Sequence, residues 1–231
     1  MRKTMWLKSF NWLKEAIFPT SCVGCGRGGR WLCVQCERQT LNITRPTCPY
    51  CGRLTARGKL CPRCRGKSNL TGLVVAGYYR EGPLKEAICA FKYEFVQELL
   101  PYLSALLVRA LKNSGLPKHM VLVPLPLSFW RRLYRGFNQG ELLAEAIAKK
   151  TGRQMDNCLG RVGERVPQVD LPDSQRRKNV QGVFRLIKKP TFKRVILVDD
   201  VFTTGATMEE AAKVLREAGV REVWGLVLAK G

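Results

Sequence analysis

The 231-residue sequence predicts an α/β domain built on a largely parallel sheet flanked by helices, with a small cysteine-rich module in front of it. Three observations carry that prediction. Beyond Leu70, short apolar runs alternate with segments of helical period. Eight of the ten cysteines lie in the first 64 residues as four Cys-x-x-Cys pairs, while Cys89 and Cys158 stand alone. The charge divides at the same place, residues 1–70 carrying +12 and the much longer remainder +10. A boundary near Leu70 is therefore expected, between a module over 1–70 that opens with a helix and an α/β domain over 71–231.

The elements follow in order. Leu73 to Tyr79 reads as a strand, and Pro83 to Tyr93 and Leu99 to Lys112 read as helices. Val121 to Val123 is a short buried strand, followed by an irregular basic loop through Arg135-Gly136-Phe137-Asn138-Gln139. Leu142, Leu143, Ala146 and Ile147 then share one helical face. A polar stretch from Gly160 to Gly182 precedes two more strands, Val195 to Val198 and Val223 to Leu228, around a helix. Thr207-Met208-Glu209-Glu210 has the spacing of a capping box opening that helix, and Gly219 suits its C-terminal stop.

Composition excludes several classes. With 45% hydrophobic and 25% charged residues the chain can bury a core and is neither disordered nor fibrous. No stretch approaches the roughly 18 to 20 apolar residues of a membrane span; the best, Leu99 to Val108, contains Pro101 and ends at Arg109. Lys8, Asn11, Lys14 and Glu15 interrupt the basic N-terminus, so a signal peptide is not expected, and the reading is a soluble, cytoplasmic protein with reduced thiols and no membrane insertion. The formal charge of +22 favours polyanionic partners, nucleic acid or phosphorylated ligands, over a strongly cationic substrate.

Thiolates spaced by two residues can both face one ion, and two such pairs complete a tetrahedral zinc site. Two structural zincs are expected, one on Cys22, Cys25, Cys33 and Cys36 and the other on Cys48, Cys51, Cys61 and Cys64. An interleaved pairing would use the same ligands, and disulfides or a redox centre are the competing readings. Gly24, Gly26 and Gly52 fit tight knuckle turns. Trp6, Trp12, Trp31 and Tyr50 lie among the basic residues of this module, the pairing of aromatic faces with cations that binds single-stranded nucleic acid; Trp6 and Trp12 would equally serve to bury a first helix.

The sharpest signal is Val195-Ile196-Leu197-Val198-Asp199-Asp200-Val201-Phe202-Thr203-Thr204-Gly205-Ala206-Thr207. A buried strand ends in two carboxylates, and a small hydroxyl- and glycine-rich loop leads into a helix amino terminus. At the C-terminal edge of a parallel sheet this is a ligand site. Loop amides, the positive helix end and the hydroxyls of Thr203, Thr204 and Thr207 make a phosphate cradle. The acids suit sugar hydroxyls, a magnesium shell or positive charge developing in a reaction. Together they describe a ribose 5-phosphate pocket. Neither a Walker nor a Rossmann glycine motif is present.

This segment resembles the phosphoribosyltransferase signature for 5-phosphoribosyl 1-diphosphate (PRPP). Joined to four zinc-knuckle pairs, it resembles the ComF family, which includes ComFC and GntX-like proteins, and the likeness extends through Val123-Pro124-Leu125-Pro126, Arg135-Gly136-Phe137-Asn138-Gln139 with Leu142-Leu143-Ala144, and the stretch holding Gln168, Arg176, Arg177 and Asn179. The resemblance implies a type I phosphoribosyltransferase-like sheet. Asp199 and Asp200 would be the catalytic acids meeting the ribose 2- and 3-hydroxyls, and Val201, Phe202, Thr203, Thr204, Gly205, Ala206 and Thr207 would wrap the 5-phosphate. The turn at Pro124 and Leu125 and the basic loop after it would hold pyrophosphate, with Gln168, Arg176, Arg177 and Asn179 in a closing flap.

Physical chemistry points the same way for the diphosphate, which needs cations beside a magnesium ion. Arg131, Arg132 and Arg135 follow the end of a buried strand, and guanidinium forks bind phosphate oxygens in pairs. Lys92, at the end of a helix, is a further phosphate contact. His119 is the only histidine and reads as a surface residue, so no proton-relay triad is expected. The function expected is a magnesium-dependent phosphoribosyltransferase of unknown acceptor, associated with DNA uptake and other competence proteins. The alternative is a non-catalytic accessory that binds single-stranded DNA and is regulated by PRPP.

Overall fold

The computed structural model describes residues 20–40, 45–162 and 181–231. Trp6, Trp12 and the flap residues Gln168, Arg176, Arg177 and Asn179 lie outside the described residues.

The cysteine module opens each of its halves with the same turn. The Cys22 amide donates to Arg27 O (2.8 Å) and the Gly26 amide returns to Cys22 O (2.7 Å); Cys48 and Gly52 repeat the pattern with Arg53 O (2.7 Å) and Cys48 O (3.0 Å). Gly26 and Gly52 sit at φ +74° and +72°, a left-handed geometry that a Cβ would strain. The later cysteines of each half flank short helices, α1 (Val34–Thr40) and α2 (Pro62–Arg65).

The α/β domain follows as β1 (Gly72–Tyr78), α3 (Pro83–Tyr93), α4 (Leu100–Ser114), β2 (Val121–Pro124), α5 (Phe129–Arg135), α6 (Gln139–Thr151), the antiparallel pair β3 (Leu159–Arg161) and β4 (Phe184–Leu186), β5 (Arg194–Phe202), α7 (Ala206–Glu217) and β6 (Glu222–Lys230). Four strands form one parallel sheet in the order β1-β6-β5-β2. Consecutive residues of β5 point to opposite faces, so both faces must be covered. Ile196 and Val198 pack with Ile88, Phe91, Leu107 and Ile147 of α3, α4 and α6. Val195 and Leu197 pack with Ala211 and Leu215 of α7 and with Phe184 of β4.

Three local expectations are corrected. The basic stretch after β2 is partly helical: Ser128 caps α5 by accepting from the Arg131 amide, and Gly136 closes it at φ +73°. Strand β5 does not stop at Val198. Its pairing with β6 continues through Asp199 to Phe202 opposite Lys230, because β6 offers hydrogen-bonding partners to its own end. The capping box does not form either. Gly205, not Thr207, takes the cap position of α7, while Glu210 accepts from the Gly182 amide (2.7 Å) and Glu209 is bonded to the cysteine module. Gly219, at φ +87°, ends α7 as expected.

The two halves of the chain are joined by specific polar contacts. Glu209, in the first turn of α7, accepts from Tyr50 Oη, Ser68 Oγ and the Asn69 amide (2.9 Å). Arg216, two turns on, donates to Asn69 O (2.8 Å), Thr71 Oγ1 (3.1 Å) and Arg221 O. Arg216→Ala strands these acceptors at a cost of about 2 kcal/mol, which in a chain of this size lowers the melting temperature by roughly 4–8 °C. Differential scanning calorimetry with parallel metal analysis checks this; the zinc content is expected to stay unchanged.

Candidate active site and metal centres

The eight paired cysteines gather into two clusters, Cys22/Cys25/Cys33/Cys36 and Cys48/Cys51/Cys61/Cys64, the sulfurs of each lying within 4.8 Å of one another. The pairing is thus sequential, not interleaved. Cys25 and Cys33 Sγ are 3.7 Å apart and Cys51 and Cys61 Sγ 3.6 Å. A tetrahedron with zinc–sulfur bonds of ~2.3 Å has edges of ~3.8 Å, whereas a disulfide needs ~2.05 Å. The donor sets therefore fit zinc, and all ten cysteines are free thiols.

Protonation shows the same demand for a cation. Burial, followed by hydrogen bonds with neighbouring thiols, pushes Cys36 and Cys64 up to about 12. At Cys22 and Cys48 burial also raises the thiol, but surrounding amides, led by those of Cys33 and Cys61 respectively, outweigh it and bring each down to about 6. Four sulfurs so close cannot all ionise unless a divalent ion shares their charge. Metal analysis is expected to give two zinc ions per chain, and Cys36→Ser to give one.

The acid pair sits within the last four residues of β5. Asp200 is buried, and its Oδ1 receives the Lys92 ammonium from the end of α3 at 2.8 Å. Asp199 is half-buried, and its Oδ1 accepts the Asp200 amide at 2.8 Å. The structure thus brings Lys92, Asp199 and Asp200 together. Burial first, then the neighbouring Asp200 charge, pushes the Asp199 carboxyl up to about 7, with Lys92 and Arg131 pulling against them. Its proton is therefore held in the folded state and released late.

The sign of the pH effect follows. A carboxyl raised above its ordinary 3.8 favours the folded state fully only below that value, and the contribution is lost as pH rises through about 7. In magnesium-free buffer, Asp199→Asn is expected to match the parent's melting temperature near pH 4 and to exceed it near pH 8. Equal curves at both ends would refute the assignment.

The loop after β5 is shaped by one glycine. Gly205 is at φ +78°, and a Cβ there would meet the Phe202 ring at 2.4 Å. Phe202 is in turn wedged against Tyr50 of the second cysteine cluster, ring centroids 6.0 Å apart and edge to face. Thr204 Oγ1 faces the Ala206 amide (3.4 Å), Thr203 is exposed, and no side chain caps the start of α7. That open helix end is where an anion would bind. Val201 is half-buried on the α3/α4/α6 side, and Ala206 and Thr207 are half-buried in the first turn.

On the other wall, Pro124 ends β2 and the Leu125 amide donates to Val198 O (3.0 Å). Asn138 ties this turn to α6: its Nδ2 donates to Leu125 O (3.1 Å) and its Oδ1 accepts from the Gly140 amide (3.0 Å). That linking role was not read from the sequence, although an Asn just ahead of a helical period is a cap signal. The arginines separate in function. Arg135 is buried, bonded to Gln139 Oε1 (3.1 Å) and stacked on Tyr93. Arg132 lies 3.8 Å from Glu141. Arg131 is exposed, and its charge reaches Asp199.

Glu209, an interior residue of the expected capping box, is the functional residue that sequence reasoning missed: it fixes the second cluster onto the helix that begins at the loop. Trp31, half-buried, packs on the main core, and Tyr50 rests on Phe202 and Glu209, so both aromatics help dock the module. His119 is exposed beside Arg194.

Residues 13–65 match the double zinc ribbon domain family, and residues 138–231 match the phosphoribosyl transferase domain family. Competence protein F of Haemophilus influenzae is 34% identical, the match covering 92% of this chain and 99% of that protein. The chain belongs to the ComF family of competence and DNA utilization proteins. The DNA utilization protein YhgH of Escherichia coli (strain K12) is 32% identical over 86% of this chain and 91% of its own, and competence protein ComFC of Bacillus subtilis is 30% identical over 81% and 79%. Its two zinc sites are those of the double ribbon.

Proposed function

We propose that this ComF-family protein binds PRPP with magnesium at the C-terminal edge of its sheet and acts there as a phosphoribosyltransferase. One observation carries the reading: a paired-acid strand end, a left-handed glycine turn and an uncapped helix start occur in succession on the central strand of a parallel sheet. In this reading Asp199 and Asp200 meet the ribose hydroxyls, Lys92 releasing Asp200 or following it onto the ligand. The amides and hydroxyls from Thr203 to Thr207 take the 5-phosphate, and Arg131 takes the diphosphate, with the Pro124–Leu125 turn as its floor.

Magnesium fits the donors present, since Asp199 and Asp200 crowd two acids together with Lys92 as the one direct ion-pair partner among the described residues and Arg131 acting at longer range. Bound with the diphosphate, it would draw off charge from the leaving group. The step is displacement of pyrophosphate at the anomeric carbon, where positioning and electrostatics supply the rate and no histidine base is needed. In this reading residues 1–70 form the zinc module and 71–231 the transferase domain, and the protein works in the cytoplasm during DNA uptake, beside other competence proteins. Among the described residues no helix is long and apolar enough to cross a membrane.

The relatives' DNA-related names and the +22 charge support a second reading, in which single-stranded DNA is the partner and PRPP binding regulates it without turnover. Calorimetry with PRPP and magnesium, followed by a pyrophosphate-release screen, separates the two. Asp199→Ala and Gly205→Ala are each expected to weaken PRPP binding by about tenfold or more, through lost ligand contacts and a displaced phosphate turn respectively. Unchanged affinity in both variants would rule out the PRPP site. PRPP binding without pyrophosphate release on any acceptor would favour the regulatory reading.

A further inference from the structure

A second cavity lies beside the outermost strand of the sheet. Within the sheet β1 pairs with β6, its first residue Gly72 also bridges Lys59 of the second zinc ribbon, and beside it that ribbon and α4 enclose a groove of roughly 270 Å³. Because β1 is the edge strand, residues from both its faces reach the groove, and Leu73, Val75, Ala76, Leu106 and Ala110 give it an apolar floor. Its rim is different in kind. Arg45 and Arg57 come from the ribbon, Arg109 from α4 and Lys230 from the end of β6, and no acidic residue lines the cavity among the described residues.

None of these four cations has a carboxylate partner among the described residues, although the protein does pair cations elsewhere, as in Lys92–Asp200 and Arg194–Glu222. Arg57 adds a sign of purpose. It is held at φ 60°, one of two non-glycine residues described in the left-handed region. Such a conformation costs of order 1–3 kcal/mol and persists only where its surroundings enforce it. It sets the guanidinium against the C-terminal turn of α4, where a Cβ on Gly115 would lie 3.6 Å away. A narrow apolar slot ringed by unpaired cations complements a ligand with a flat ring and a phosphate.

We propose that this groove binds a nucleotide unit, its base against the β1 and α4 floor and its phosphate on the cationic rim around Arg109. The position connects it to the transferase loop without merging the two. Tyr78, Lys230 and Phe202 stand side by side across β1, β6 and β5, so the groove's upper end is two strand spacings, ~10 Å, from the loop that starts at Thr203. The unit can be a free nucleotide or the end of a nucleic acid strand, since both offer the same ring and phosphate.

The test uses the full-length zinc-loaded protein with two probes, thymidine 5′-monophosphate and a short 5′-phosphorylated oligo(dT) carrying one photoreactive 5-bromodeoxyuridine. Arg109→Glu reverses one rim charge at an exposed position, and Ala110→Trp fills the floor; zinc content and PRPP calorimetry show whether each variant stays folded. Binding of at least one probe, weakened about tenfold or more in both variants with PRPP affinity retained, together with crosslinks at Tyr78 or along the groove, supports the proposal. Binding of the mononucleotide identifies the free ligand, and binding of the oligonucleotide alone identifies the strand end. Neither probe binding, binding indifferent to both variants, or crosslinks confined to the exposed aromatics Phe129, Trp130 and Tyr134 of α5 would overturn it. Because PRPP is titrated separately, a failed groove is distinguishable from a failed transferase site.

Discussion

The parallel pairing of β5 with β6 is the constraint on which the rest depends. It keeps one register from Arg194 opposite Glu222 to Phe202 opposite Lys230, with Asp200 the one residue of that span left without a paired partner. A strand that ended with its hydrophobic run would leave Asp199 and Asp200 on a loop, free to turn toward water. Here the backbone ladder, paired at Asp199 and again at Val201 and Phe202, carries both acids past the hydrophobic run. Desolvating a carboxylate is expensive unless it is paired or kept protonated, and the two acids take one solution each: Asp200 is paired with Lys92, and Asp199 holds its proton longer. The sheet thus stores an electrostatic demand at the place where a polyhydroxylated, magnesium-bearing ligand would meet it.

Most of the fold was legible because the physics that makes it is local. Helix α3 shows at Pro83–Tyr93 with the bounds expected, since a proline opens it and apolar residues recur at helical spacing. The four Cys-x-x-Cys pairs announce two metal sites because ligand geometry is short-range. The features that were not legible depend on partners distant in sequence. Nothing in Asp199-Asp200-Val201-Phe202 says that β6 will keep bonding to it. Ser128 and Gly136 bracket a helix, but the arginines between them pull the reading toward a loop. Glu210 has capping-box spacing from Thr207, yet it accepts from the Gly182 amide instead, and its neighbour Glu209 meets Tyr50, Ser68 and Asn69 where the second ribbon arrives.

The candidate site divides in the same manner. The acid pair and threonine turn could be read as a unit because they are contiguous. The sorting of the arginines could not, since it hinges on Gln139 and Tyr93 capturing Arg135 while Arg131 is left facing Asp199. A run of basic residues looks uniform in sequence; folding buries Arg135 against Gln139 and Tyr93 and leaves Arg131 exposed.

The zinc ribbons enter this arrangement as part of the site's support. A loop of small residues has little intrinsic reason to hold one conformation, because glycine and threonine leave the backbone many alternatives. Gly205 turns left-handed with its open face against the Phe202 ring, and that ring is backed by Tyr50, which lies between the zinc-site cysteines Cys48 and Cys51. Tyr50 is also bonded to Glu209, in the first turn of the helix that the loop opens. The second zinc centre, the aromatic pair and the helix start therefore form a continuous brace behind the turn at Thr203–Gly205. A ribbon that merely tethered a partner would have no need of these contacts; one that sets the shape of the turn requires all three.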